Sequence, residues 1–253
     1  MLTDWDNRTY TGGLGVLVGC NAYQEWMLKW WWENYSKHNS FPVTFIDFGM
    51  SKSARLWCEM QGNVIPVSLP PNTVKLKEEL PLKTQKLWEK IYGAAIWKAR
   101  VGWCRKAFAF LKTPYDSTLW LDLDCQVLKP LNSIFHDTTA SLAMALQKRH
   151  SAKELFQHKL LYKGELLYNT GVVLFQRHCP IIPKWAKTTL TENHLFIGDQ
   201  DILSRIIYKE KFPLALLPSI YNHHLEDGLT PDTHILHFVC SGGKHSILKN
   251  LNF

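Results

Sequence analysis

A chain of 253 residues, 46% of them hydrophobic, is long enough to bury a substantial core and suits one large α/β domain. Its 29 Lys and Arg against 22 Asp and Glu give a formal charge of +7, which favours an anionic partner such as a nucleotide, a phosphorylated acceptor or a lipid surface. The bases are interleaved with acids and form no Lys/Arg run, which argues against nucleic acid, and no apolar run approaches the ~18 residues of a membrane span.

The polar start MLTDWDNRTY does not read as a signal peptide. GLGVLVGC, residues 13–20, is a continuous apolar run bounded by glycines and predicts a strand buried on both faces. A helix with a thick aromatic stripe is expected over residues 22–39. Trp30, Trp31 and Trp32 cannot all face inward on it, so at least one should meet a partner, a neighbouring subunit or an outer layer of the fold. FPVTFIDF (41–48) reads as a second strand, SKSARLWCEMQ (51–61) as a helix opened by a serine cap, and NVIPVSL (63–69) as a third strand. That alternation implies parallel βαβ units.

After a proline-rich loop, one long helical stretch is expected from Thr84 to Leu111, leading into the strand STLWLDLD at 117–124. Further strands are expected at SLAMALQ (141–147), LYNTGVVLFQ (167–176), PLALLP (213–218) and THILHFV (233–239), with a helix over 199–209. Residues 151–164 read as a basic, irregular excursion, and CSGGKHS (240–246) as a tail whose paired glycines wrap an anion. The cysteines, Cys20, Cys58, Cys104, Cys125, Cys179 and Cys240, include no C-x-x-C pair and read as buried thiols in a reducing compartment.

Two acids close the fourth strand. In extended backbone Asp122 and Asp124 would point the same way, with Leu121 and Leu123 packed behind them. At the carboxyl end of a parallel strand they would face the ligand crevice, where a hard divalent cation, Mg²⁺ or Mn²⁺, relieves their repulsion. Two other readings stay open for an isolated D-x-D. The acids could be solvated or helix-capping residues at a turn, or the first could be the nucleophile of a dehalogenase-type phosphohydrolase. Gln126 stands where that class carries Thr or Val, and no acidic pair downstream completes its site.

WLDLDCQVLKPL, LYNTGVVLF, GDQDILSRII and LLPSIYN, in that order, resemble the motif succession of glycosyltransferase family 8. These are retaining nucleotide-sugar transferases of GT-A fold that include lipopolysaccharide sugar transferases and glycogenin, and the resemblance runs from Gly15 to Lys244. It implies a Rossmann-like, mostly parallel sheet flanked by helices. It implies a single GT-A domain, with a nucleotide-binding part at 14–130 and an acceptor- and sugar-binding part at 131–253. Asp122 and Asp124 would then hold the metal on the donor's phosphates, with His237 as third ligand and His234 its competitor. Asn169 and Gly171 would line the sugar side, Asp199 would hydrogen-bond the donor sugar, and Gln200 would lie near the anomeric carbon. Asn21 and Tyr23 would take the nucleobase, Arg100 rather than Lys98 would reach the diphosphate, and Lys244 with Gly242 and Gly243 would grip the leaving phosphate. The tail HFVCSGGKHS departs from the family by extra residues before its glycines and by His245 in place of proline.

Each position also has a plainer role: a turn at Asn169, a dipole-favoured helix acid at Asp199, a solvated helix face at Arg100, a structural histidine at His237. The implied activity is metal-dependent transfer of a hexose from a UDP-sugar, with retention, to a hydroxyl of a glycan, lipid-linked or protein acceptor. The alternatives are the phosphohydrolase and a non-catalytic nucleotide-sugar binder. The implied location is the cytoplasm or the inner membrane face, with secretion as an effector left open. QKRHSAKELFQHKLLYKG (147–164) would contact an anionic acceptor or surface.

Overall fold

A computed structural model of the chain describes residues 2–136 and 140–251. In chain order the first half holds β1 (Leu14–Cys20), α1 (Leu28–Ser36), β2 (Val43–Asp47), α2 (Lys52–Gln61), β3 (Asn63–Pro66), α3 (Leu82–Tyr92), α4 (Ile96–Phe110) and β4 (Ser117–Leu121). The second half holds β5 (Cys125–Val127), α5 (Asn132–His136), β6 (Leu142–Leu146), α6 (Arg149–Gln157), β7 (Tyr168–Gln176), α7 (Ile181–Glu192), α8 (Asp199–Glu210), β8 (Ala215–Leu216), β9 (His223–His224), β10 (Ile235–His237) and α9 (Cys240–Asn250). Seven strands form one sheet in the order β3-β2-β1-β4-β7-β6-β8, and β5-β10-β9 form a second, small one. In the large sheet only β7 runs against the rest, so the sheet is mostly parallel, as expected.

Strand side chains divide cleanly between two cores. Val16, Val18 and Cys20 of β1, Leu119 and Leu121 of β4, and Val172 and Leu174 of β7 pack with α1 and the small sheet. Leu17, Trp120, Val173 and Phe175 pack with α4, α7 and α8 on the opposite face. Covered on both sides, these strands need apolar residues at every position, which is why they read as runs without alternation. Ser51 caps α2 as expected, its hydroxyl accepting from the Ala54 amide at 3.2 Å. All three tryptophans of α1 find neighbours within the fold. Trp30 meets Phe238 edge-on at 5.6 Å, Trp31 stacks on Tyr35 at 5.1 Å, and the half-buried Trp32 lies 6.1 Å from Phe45.

Five expectations are corrected. The long helix is two, α3 and α4, because Gly93 at φ 74° ends α3 and its amide bonds the Glu89 carbonyl. The fourth strand stops at Leu121, and Leu123 and Asp124 lie in a turn before β5. The basic excursion contains α6, whose Leu155 is buried with Leu80, Trp88 and Ile197 in a third core, so part of it is packed rather than irregular. The tail is helix α9 rather than a loop, and Cys240 at its start is exposed, unlike the other five cysteines. Among the described residues no helix is long and apolar enough to cross a membrane.

Candidate active site

The site forms at the carboxyl end of β4, where the antiparallel β7 begins. Between β6 and β7 the register jumps: Met144 faces Val173 but Ala145 faces Asn169, so residues 170–172 bulge out of the ladder with β6. The bulge separates three neighbouring side chains. Thr170 turns toward α8 and donates to Asp199 at 2.7 Å, Asn169 turns toward β9, and Gly171 lies under the His237 ring. The Gly171 carbonyl accepts the Asp122 amide at 2.8 Å, which ties the bulge to the end of β4.

The turn after β4 sends the two aspartates to different places. Asp122 keeps the phase of Trp120 and faces α4, accepting the Trp120 indole N–H at 2.7 Å and lying 2.9 Å from the Lys106 ammonium. Lys106 also lies 3.1 Å from Asp199 and donates to the Thr170 carbonyl at 3.1 Å. Burial disfavours a charged lysine, but Asp122 and Asp199 outweigh it and raise the Lys106 pKa above its ordinary value. Asp124 faces the small sheet and α9. One of its oxygens meets the Lys244 ammonium at 2.5 Å, and the other lies 3.3 Å from His237 Nε2. Burial alone would raise this carboxyl, but Lys244 and His237 hold it well below the usual carboxylate range.

Asp124, Cys125 and His237 offer ligand atoms within 4.8 Å of one another, all from buried residues. The expected ligands Asp124 and His237 are therefore adjacent, while Asp122 is held toward Lys106. Burial pushes the Cys125 thiol well above its ordinary pKa, and it donates to the Gly171 carbonyl at 3.7 Å, so it is not poised as a thiolate ligand. Carboxylate oxygen and imidazole nitrogen suit a divalent cation of the Mn²⁺ type. Three carboxylates, Asp122, Asp124 and Asp199, face two ammoniums, Lys106 and Lys244, which leaves the cluster with an excess of negative charge. The residues present thus fit a divalent cation.

Of the other expected residues, Asp199 and Gln200 open α8 beside this cluster, Asp199 buried and Gln200 half-buried. Asn169 is buried between Gln147 and Asn222. Asn21 follows β1 and accepts the Tyr23 amide at 3.0 Å, and Tyr23 is 78% exposed. Gly243 lies inside α9 where a Cβ would collide with the Phe238 carbonyl, so it serves helix packing and not an anion-wrapping loop.

Arg100 is not at the cluster. It is 1% exposed, stacks 4.5 Å over Trp88, and donates to the carbonyls of Ile197, Lys75, Asn193 and Phe196. The base that α4 brings to the first aspartate is Lys106. A signal for it exists in GWCRKAFAF, where a lysine sits between buried Cys104 and Ala107, since a cation on such a face requires carboxylates opposite it. His234 lies outside as well, half-buried against Tyr221 and bonded to the Pro130 carbonyl at 3.0 Å. Asn222 and Thr170 complete the cluster; both lie inside the segments LLPSIYN and LYNTGVVLF, but neither is given a role by the sequence.

No protein-family model matches the chain, and no curated protein matches it. Solved structures do. The galactosyltransferase LgtC, in complex with donor and acceptor sugar analogues, aligns at TM-score 0.55 and 14% identity over 90% of this chain and 87% of that one. Mouse xyloside xylosyltransferase 1 aligns at 0.56 and 14% identity over 92% and 99%, and the glycosyltransferase GlyE of Streptococcus pneumoniae at 0.57 and 17% over 91% and 55%. The chain has the fold of these glycosyltransferases, the GT-A fold, over nearly its whole described length.

Proposed function

We propose that the protein is a glycosyltransferase that moves a hexose from a UDP-sugar to an acceptor hydroxyl with retention, using Mn²⁺ or Mg²⁺. The observation that carries this reading is the meeting of Asp124, His237 and Lys244 at the end of β4 with Asp122, Lys106 and Asp199 beside them. Asp124 and His237, with Asp122 nearby, would hold the cation. When bound it supplies positive charge to the departing diphosphate.

The chain's own residues then have separable tasks. The side chain of Lys244 is one-third exposed at the mouth of the cluster and can transfer its ammonium from Asp124 to a leaving phosphate. Lys106 fixes Asp122 and Asp199 together, which sets where α8 begins and hence where Asp199 and Gln200 meet a sugar. Asp199 is already committed to Thr170 and Lys106, and Gln200 is a poor nucleophile. Among the described residues of the cluster no unpaired carboxylate is left to form a covalent intermediate, which favours front-face attack with the leaving phosphate accepting the proton. Tyr23 offers an exposed ring for the base, and the insertion at 147–164 lies beside the site through Gln147 and Asn169.

The test is a hydrolysis and thermal-shift screen of UDP-glucose, UDP-galactose and UDP-N-acetylglucosamine with Mn²⁺, Mg²⁺ or chelator, with an aryl phosphate as control. Metal-dependent release of UDP from one donor, and a product of unchanged anomeric configuration by NMR, are expected. Cleavage of the aryl phosphate alone would instead establish a phosphohydrolase, and an inverted product would remove the front-face mechanism.

A further inference from the structure

A histidine ligates a metal only through a nitrogen that carries no proton, so which ring nitrogen holds the hydrogen decides whether His237 can act at all. Hydrogen positions and amide orientations are ordinarily matters of inference, but here the backbone removes the freedom. The Gly171 amide donates to the side-chain oxygen of Asn169 at 2.8 Å, and a backbone N–H can only donate, so that atom of Asn169 is oxygen. The same oxygen is approached at 2.9 Å by the Asn222 side chain, which must therefore present its NH₂ group there. The far side of Asn169 agrees, its NH₂ donating to Gln147 Oε1 at 3.0 Å. With its NH₂ turned to Asn169, Asn222 shows its carbonyl oxygen to His237 Nδ1 at 2.8 Å, and an oxygen at that distance requires a proton on Nδ1.

We infer that Asn222 is a positioning residue: through Asn169 and the Gly171 amide it fixes a proton on His237 Nδ1, so that Nε2, 3.3 Å from Asp124, is the nitrogen at which a divalent cation would bind in place of any proton shared with that carboxylate. This rests on the metal reading given above and adds the residue that enforces it. The surroundings hold the ring for the same purpose. His237 lies between β5 and β9, paired with Cys125 and His224, and the His224 ring stands edge-on to it at 5.6 Å. Asn222 is 5% exposed, so no water competes readily for the bond. Asn169 thereby acquires a second task, since its oxygen is committed to this chain and only its other surfaces remain for a sugar.

Two variants separate positioning from packing, because both break the bond to Asn169 while only one keeps an acceptor for Nδ1. Asn222→Leu removes the acceptor, and Asn222→Asp retains it. The tautomer is read in the ¹⁵N-labelled full chain by long-range ¹H–¹⁵N correlation of the imidazole in alkaline buffer without metal, with His237 assigned by its loss in His237→Gln. Mn²⁺ binding is read by electron paramagnetic resonance, with and without UDP. The wild type and Asn222→Asp are expected to show the proton on Nδ1. Asn222→Leu is expected to lose that preference and to bind Mn²⁺ about 10–100-fold more weakly, whereas Asn222→Asp stays close to the wild type. A wild-type proton on Nε2, or equal loss of Mn²⁺ in the two variants, overturns the assignment. A wild type with the Nδ1 proton in place but no Mn²⁺ binding in either condition refutes the metal reading of the site and upholds the role of Asn222 in setting the tautomer.

Discussion

Replacing Gly171 by alanine tests the site's geometry with a single methyl group. The added Cβ would stand 2.8 Å from His237 Nδ1 and 2.9 Å from Nε2, and closer still to the carbon between them, where ordinary contact begins at 3.4 Å. The φ of Gly171 is not in the left-handed region, so backbone strain does not enter and the cost is steric alone. The ring cannot swing aside, since its strand is paired on both edges and His224 stands against it. Either β7 or β10 must yield by something on the order of 1 Å, an overpacking that costs about 1–3 kcal/mol. For a chain of this size that corresponds to a fall in Tm of about 3–10 °C. The same displacement pulls Nδ1 from Asn222 and Nε2 from Asp124, and a misplacement of about 1 Å in a catalytic group reduces turnover by about 100-fold. Calorimetric unfolding with and without Mn²⁺, together with UDP release under saturating donor, measures both. An alanine variant with wild-type Tm, Mn²⁺ affinity and turnover would refute the placement of His237 over Gly171.

Other outcomes follow from the ion pairs and buried groups. Lys106→Met leaves Asp122 and Asp199 without their shared cation and should cost about 3–5 kcal/mol in chemical unfolding, with loss of UDP release. Arg100→Lys gives up bonds to four carbonyls and the stack on Trp88, and should lower stability by about 2–4 kcal/mol while leaving kcat of the folded enzyme and KM for the donor unchanged; a selective rise in KM would return Arg100 to the diphosphate. Asp124→Asn should abolish turnover while far-ultraviolet dichroism stays that of the wild type. Burial first, and then the charges of Asp199 and Glu165, raise the Asp201 carboxyl from 3.8 to about 7 despite its bond from the Gly198 amide. The folded state therefore keeps a proton that the unfolded chain has lost between these values. Its stabilising effect is complete below pH 3.8, falls as pH rises, and is gone above about pH 7. Asp201→Asn, followed by urea unfolding across pH, should gain on the wild type by up to about 4 kcal/mol at about pH 8 and match it near pH ~4. Burial lowers His224 from 6.5 to about 4 and gives a slope of opposite sign over that range, so the difference between variant and wild type is the readout.

The large sheet was legible because strands covered on both faces are largely apolar, and GLGVLVGC, FPVTFIDF and LYNTGVVLFQ are mostly such runs. The two- and three-residue strands of the small sheet were harder, since β9 and the end of β10 owe their pairing to each other and to β5 across the chain and not to any local pattern. Gly93 is visible in the sequence, but a glycine in a helical pattern marks a stop as readily as a tolerated interior position, and here it is the stop. Arg100 and Lys106 are both on α4, and residue type favours the arginine for a phosphate. What distinguishes them is which carbonyls and carboxylates lie opposite, a tertiary fact. The tail glycines suggest an anion loop, yet Gly243 is required by its approach to the Phe238 backbone inside a helix.

The turn at Leu123 and Asp124 changes what the D-x-D pair does. Had the strand continued, both carboxylates would have shared one face and one set of partners. Because it ends at Leu121, Asp122 stays in phase with Trp120 and joins the α4–α8 side through Lys106, while Asp124 crosses to β10 and α9 through His237 and Lys244. Each acid thus has its own lysine, and the two lysines differ in freedom: Lys106 is enclosed between Asp122, Asp199 and the Thr170 carbonyl, whereas the Lys244 side chain is one-third exposed. The enclosed pair fixes geometry, since moving it would strand a buried charge. The exposed pair can exchange partners, since Lys244 has solvent on one side and a residual negative cluster on the other. Under the proposed function, a cation at Asp124 and a phosphate at Lys244 would replace one ion pair by two, which gives each of the two like charges at the edge of the core a separate partner.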